Sequence, residues 1–172
     1  FLMQAGFLCL ESGLTRSKNS INVAVKNLSD FGLAVLLFWA VGYAVMFGDS
    51  LGGWFGISDW FVSIEETPYL AAFFVFQAMF CGTATTIVSG AAAERLHYGG
   101  YLLISLLNAA IIYPSFGHWV WNGIENGERL GWLAQLGFVD FAGSTVVHLV
   151  GASVAFAVLL IVGPRRGRFE SG

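Results

Sequence analysis

The stretch Phe141–Pro164, FAGSTVVHLVGASVAFAVLLIVGP, runs for 24 residues without an Asp, Glu, Lys or Arg. A helix rises about 1.5 Å per residue and needs about 20 apolar residues to cross about 30 Å of hydrocarbon. This segment is long enough, and it lacks the apolar/polar alternation of a membrane β-strand. Three more charge-free runs lie upstream: Phe31–Gly48 with 18 residues, Thr67–Ala93 with 27 and Leu96–Ile124 with 29. The pattern predicts an all-α polytopic membrane protein.

Composition agrees. Of 172 residues 56% are hydrophobic and 11% charged, against about 25% charged in an ordinary soluble domain. Mean hydropathy is +0.71. A soluble enzyme is thereby excluded, and the net charge of −3 leaves no basic footprint for nucleic acid. Cys9 and Cys81 both sit in apolar runs and form no disulfide framework or CxxC site.

Phe1–Leu10 is apolar but covers only about 15 Å. It has no initiating Met and no basic leader region, so it is not a signal peptide. It reads as the second half of a first helix, and the basic C-terminal end reads as a cut loop. The expected helices are 1–14, 28–48, 67–93, 97–120 and 141–163, five crossings with the first truncated. Lys and Arg then set the orientation. With the N-terminal side outside, Arg16, Lys18, Lys26, Arg95, Arg165, Arg166 and Arg168 fall on the cytoplasmic side, and only Arg129 falls outside. The outer loops carry Asp49, Asp59, Glu65, Glu66, Glu125 and Glu128. Trp54, Trp60, Trp119, Trp121 and Trp132 suit an interfacial belt there. Transporters are often built from inverted halves with the site between them, and five helices make a natural half.

Two ionisable residues mark the last span. Asp140 stands at its outer start, where a carboxylate can serve as an N-cap. His148 lies eight residues on, about 12 Å deeper on an ideal α-helix and offset by about 80°. A bland reading makes His148 a satisfied core residue. The other makes it functional, as ionisable groups at mid-membrane depth usually are. Phe76 and Phe80 are spaced i, i+4 on one helix face, and Trp121 ends the next span. Phe is often simply lipid-facing. Rings beneath an acidic vestibule would also hold a small cation by cation–π contact, at about 0.5–2 kcal/mol per ring. His97 and His118 lie near the interfaces and read as structural. No HExxH or Cys/His spacing points to a metal, and nothing implies a cofactor. An intramembrane enzyme would need a nucleophile–base pair, which these spans lack.

Several motifs, in order, resemble those of the ammonium transporter/Rhesus family: Met3-Gln4-Ala5-Gly6-Phe7, Glu11-Ser12-Gly13-Leu14, Arg16-Ser17-Lys18-Asn19, Phe76-Gln77 with Phe80, Gly117-His118-Trp119-Val120-Trp121, and Asp140 through His148. The resemblance covers essentially the whole chain and corresponds to the first five of eleven helices. It implies one inverted-repeat half of a pseudo-symmetric, homotrimeric bundle with a pore in each subunit. By resemblance Phe80 is the outer gate, Phe76 contributes to the vestibule, and Trp121 is the aromatic wall of the ammonium site. Asp140 is the structural and electrostatic aspartate below that site, and His148 is the first of two pore histidines. The resemblance implies ammonium/ammonia as substrate, a cell-membrane location and a cytoplasmic regulatory partner. An ammonium-sensing domain that precedes a cytoplasmic output domain is the alternative. The stretch Asn122–Leu130 is longer than the compact turn usual after this Trp.

Overall fold

A computed structural model describes residues 1–165. Arg166 and Arg168, counted above among the inner basic residues, lie outside the described residues. Among the described residues four helices are long and apolar enough to cross a membrane: α2 (Ser17–Phe47), α3 (Pro68–Ala92), α4 (Tyr98–Asn126) and α5 (Ser144–Val162). Helix α1 (Leu2–Leu14) is apolar but has 13 residues, about 20 Å of helix.

Helix α3 is the hub, packed between α2 and α5, with α1 lying along α2. Its start is written in the sequence. The Thr67 hydroxyl accepts from the Leu70 N–H at 3.1 Å, and Pro68 occupies the first turn, where its missing N–H costs nothing. Its C-terminal half is rich in small residues, from Gly82 through Thr86 to Ser89, which lets neighbours approach closely. Gly151 of α5 uses that room. A Cβ there would stand 2.7 Å from the Ala84 carbonyl oxygen. The aromatic core of Phe38, Tyr43, Phe74 and Tyr113 packs against the N-terminal half of α3.

Helix α2 begins at Ser17, well ahead of the boundary at 28 suggested by the charge-free run. Its buried residues Val23, Lys26, Asn27, Asp30 and Ala34 form one inward stripe at helical spacing. Two charges ride on that stripe because neighbouring helices satisfy them. Asp30 accepts from the Tyr101 hydroxyl and from Thr86 Oγ1 at 3.1 Å, and Lys26 Nζ donates to the Leu96 carbonyl at 3.0 Å. Nearby, Asn27 Nδ2 donates to Glu11 Oε2 at 2.8 Å.

Three spans are not purely α-helical. π turns occupy Phe38–Gly42 in α2, Asn108–Ile112 in α4 and Ser144–Leu149 at the head of α5. For α4 the cause is visible. Pro114 cannot donate to the carbonyl four residues back, so the ladder is rearranged over the preceding turn.

The two ends differ chemically. At one end Glu94 takes hydrogen bonds from Arg16 Nε at 2.8 Å and Asn19 Nδ2 at 2.7 Å, with Arg165 3.4 Å away. These contacts hold the Glu94 carboxyl down at about 2, the Arg16 bond contributing most. At the other end Trp54 stacks on Trp132, Trp119 meets Trp54 edge-on, and the Trp119 indole N–H donates to the Trp54 carbonyl at 2.7 Å. A two-residue antiparallel hairpin, Ser50–Leu51 with Phe55–Gly56, lies in the same loop layer.

His118 is fully buried in this layer. Its Nδ1 lies 3.1 Å from the Met46 carbonyl, which can only accept, so Nδ1 carries the hydrogen and Nε2 takes the Ser50 hydroxyl at 2.9 Å. Asn122 Nδ2 bonds the Met46 and Gly48 carbonyls. Together they brace the ends of α2 and α4.

Candidate functional site

The site is built from the N-terminal half of α3, the C-terminal half of α4 and the loop that enters α5. On α3 the Phe76 and Phe80 rings meet edge-on, their centroids 4.8 Å apart. Phe80 in turn meets Trp121 at 5.7 Å and 42°. Trp121 is 3% exposed and is therefore part of the core, not of an interfacial belt. Its Nε1–H donates to the main-chain oxygen of Asp140 at 2.7 Å. Beside it a cavity of about 210 Å³ is lined by Trp121, Asp140, Phe138, Glu128 and Arg129. The long loop after Trp121 folds over that cavity and closes on itself, Leu130 N–H to Asn122 carbonyl at 3.1 Å.

Asp140 precedes α5 and folds its carboxylate back onto the helix start. Oδ1 accepts from the N–H groups of Gly143 at 2.9 Å and Ser144 at 3.1 Å, and from the Ser144 hydroxyl. Oδ2 accepts from the Thr145 N–H and Val146 N–H, both at 2.8 Å, and from the Thr145 hydroxyl at 2.6 Å. Burial works against the charge, but the Thr145 hydroxyl and these N–H groups outweigh it and hold the carboxyl at about 2. The carboxylate is ionised at neutral pH, with six protein donors on its two oxygens. With its oxygens so occupied, it would influence a nearby cation through its field rather than as a direct ligand. Ser144 and Thr145 were not singled out as its partners from sequence. Their signal was a pair of hydroxyl residues within reach of a pre-helical Asp.

Gly143 makes this loop possible. Its φ is +89°, a left-handed conformation that side chains resist, and a Cβ would lie 2.5 Å from Val147 and 3.3 Å from the Trp121 ring.

The ideal-helix offset between Asp140 and His148 does not hold, because α5 starts at Ser144 and opens with a π turn. The His148 N–H and its Nδ1 both reach back to the Gly143 carbonyl, at 3.0 and 3.1 Å. A carbonyl only accepts, so Nδ1 carries the hydrogen and the lone pair of a neutral ring sits on Nε2. Phe76 is 57% exposed and His148 is exposed too. The structure thus brings Phe76, Phe80, Trp121 and Asp140 into one connected group, and ties His148 to it through Gly143. No group of three or more His, Cys, Asp or Glu suited to a metal occurs among the described residues.

The sequence profile of the Ammonium Transporter Family matches residues 1–172. The chain is 62% identical over 173 residues to sll0537 of Synechocystis sp., covering 98% of this chain and 32% of that protein. It is 42% identical over 181 residues to Ammonium transporter Amt2 of Archaeoglobus fulgidus, covering 98% of this chain and 37% of that one. Among solved structures, a Sensor Amt Protein superposes with a TM-score of 0.90 at 44% identity, over 96% of this chain and 42% of that chain. Saccharomyces cerevisiae Mep2 superposes with a TM-score of 0.77 at 26% identity, over 94% and 36%. The chain thus spans about a third of the length of the curated relatives it matches. On its motifs, its helices and these likenesses together, the chain belongs to the Ammonium Transporter Family.

Proposed function

We propose that this chain supplies one half of an ammonium-conducting pore, the first five of eleven helices, in a homotrimer whose N-terminal side faces outward. A hydrated NH4+ is recruited where the Phe76, Phe80 and Trp121 rings replace water with π faces. The fixed charge of Asp140 behind the wall favours a cation there. The proton is then separated from NH3, and the pore wall beyond presents His148. Its Nε2 lone pair is the acceptor that such a passage needs. The observation that carries this reading is the continuous chain of contacts from Phe76 through Trp121 and Asp140 to Gly143, which also holds His148. The basic end with Arg16, Arg95 and Arg165 is assigned to the cytoplasm on the excess of Lys and Arg there. Ammonium uptake into vesicles, measured on the intact protein and on Trp121→Leu and His148→Ala variants, tests the reading. Unchanged uptake in both variants would overturn it.

A second reading is an ammonium sensor, favoured by the likeness to the Sensor Amt Protein. Saturable ammonium binding that needs Trp121, without any flux in the same vesicles, would select it.

A further inference from the structure

At the end opposite the aromatic wall lies a cavity of about 580 Å³, lined by Lys18, Asn19, Lys26, Glu94, Arg95 and His97 among others. Its single lining carboxylate is already spent. Glu94 takes the Arg16 N–H and Nε and the Asn19 amide on one oxygen, and Arg165 lies 3.4 Å from the other. Lys18, Lys26 and Arg95 remain without a carboxylate partner among the described residues.

Their donors are only partly used. Lys26 is 2% exposed, with its Nζ over the Tyr101 ring 5.6 Å from the centroid, and one of its three donors reaches the Leu96 carbonyl at 3.0 Å. Arg95 gives one N–H to the Gly163 carbonyl at 3.2 Å, and its Nε is buried without a partner. The first turn of α4 enters from the side through Tyr98, with the positive end of the helix dipole. His97 adds a donor, since its Nδ1 accepts from the Gly99 N–H at 3.4 Å and leaves the hydrogen on Nε2. Three cations, spare N–H groups and a helix start around one polar cavity are complementary to a compact polyoxygen anion. The cavity sits where α2 and α4 begin, at the ends of two spans long enough to cross a membrane, the part of such a helix that meets lipid headgroups.

From this geometry we infer that the cavity between the starts of α2 and α4 is an anion site for a phosphate group, held by Lys18, Lys26 and Arg95. The same chemistry occurs in a phosphomonoester lipid headgroup and in free phosphate.

The test is binding to the intact protein in detergent, read by native mass spectrometry and by the thermal midpoint. Three probes are compared: dihexanoyl phosphatidic acid, dihexanoyl phosphatidylcholine and inorganic phosphate. Saturable binding of phosphatidic acid above phosphatidylcholine is expected, weakened about fivefold by Lys18→Gln and again by Arg95→Gln. Binding of inorganic phosphate with the same dependence on these residues also supports the site and identifies free phosphate as its ligand. Lys18 is exposed, so Lys18→Gln leaves folding intact. Lys26→Met, which keeps the buried stem, tests the third cation. Equal binding of phosphatidic acid and phosphatidylcholine without phosphate binding, or affinity unchanged in Lys18→Gln and Arg95→Gln, would overturn the inference.

Discussion

The Trp121 indole N–H and the Asp140 main-chain oxygen are joined at 2.7 Å, and this one bond locks the end of α4 to the entrance of α5. The ring that would meet a cation and the carboxylate that would attract it are thereby held in a fixed relation. The bond uses the main chain of Asp140, which leaves its carboxylate wholly for the helix start.

Replacing Trp121 by Leu removes both the ring and the bond. Ammonium uptake should show a KM raised by about 2- to 30-fold, the loss of one cation–π contact. Trp121→Phe keeps a π face and should fall between the two. An unchanged KM in Trp121→Leu would remove Trp121 from the site.

His148 is exposed, and its hydrogen bonds are to the Gly143 carbonyl of its own turn. Its replacement by Ala should therefore leave the melting temperature nearly unchanged while conduction is lost. Melting by intrinsic fluorescence and uptake on the same preparation separate these effects. A melt lowered as far as in a core variant would mark His148 as structural.

Asp140→Asn leaves N–H groups aimed at an amide that no longer carries charge, and it should cost about 2–3 kcal/mol. The pH dependence has a definite sign. Asp140 and Glu94 are both held at about 2 in the folded protein, below their ordinary values of 3.8 and 4.5. Their contribution is thus fully present above about pH 4.5 and is lost as pH falls toward 2. Melting temperatures taken between pH 2 and 6 should fall on acidification, with a shallower fall in Glu94→Gln. An equally steep fall in that variant would contradict the assignment.

Gly151→Leu places a branched side chain where even a Cβ would lie 2.7 Å from the Ala84 carbonyl. Helices α3 and α5 must separate, at a cost of about 1–3 kcal/mol or more. A reduced melting temperature checks this, and an unaltered one would show that the two helices are not in such close contact.

The four spans were legible because hydrocarbon tolerates few charges, so long uncharged runs had one reading. The same rule hid the first turns of α2, from Ser17 to Asn27. Lys18 and Lys26 look like loop residues to a charge count. Lys26 is helical because the Leu96 carbonyl, distant in sequence, satisfies it, as Thr86 and Tyr101 satisfy Asp30 within the expected span. At the site, the i, i+4 spacing placed Phe76 and Phe80 together. No spacing rule could place Trp121 against Phe80, since that contact depends on how α3 and α4 pack. Asp140 was legible as a cap, whereas its six donors depend on the left-handed turn at Gly143.

The π turn at Ser144–Leu149 has a consequence for how this helix can change over time. A π turn holds one more residue than the α-helix it interrupts, so it marks a place where the chain can lose a residue without breaking the span. Such a loss would let its i→i+5 bonds close as i→i+4 bonds, and everything beyond it would keep its face. Gly151 would stay against Ala84, and the lipid-facing side of α5 would stay in lipid. A single-codon deletion in this hexapeptide is therefore a change of length rather than of facing, with its cost confined to the contacts of Gly143 and His148.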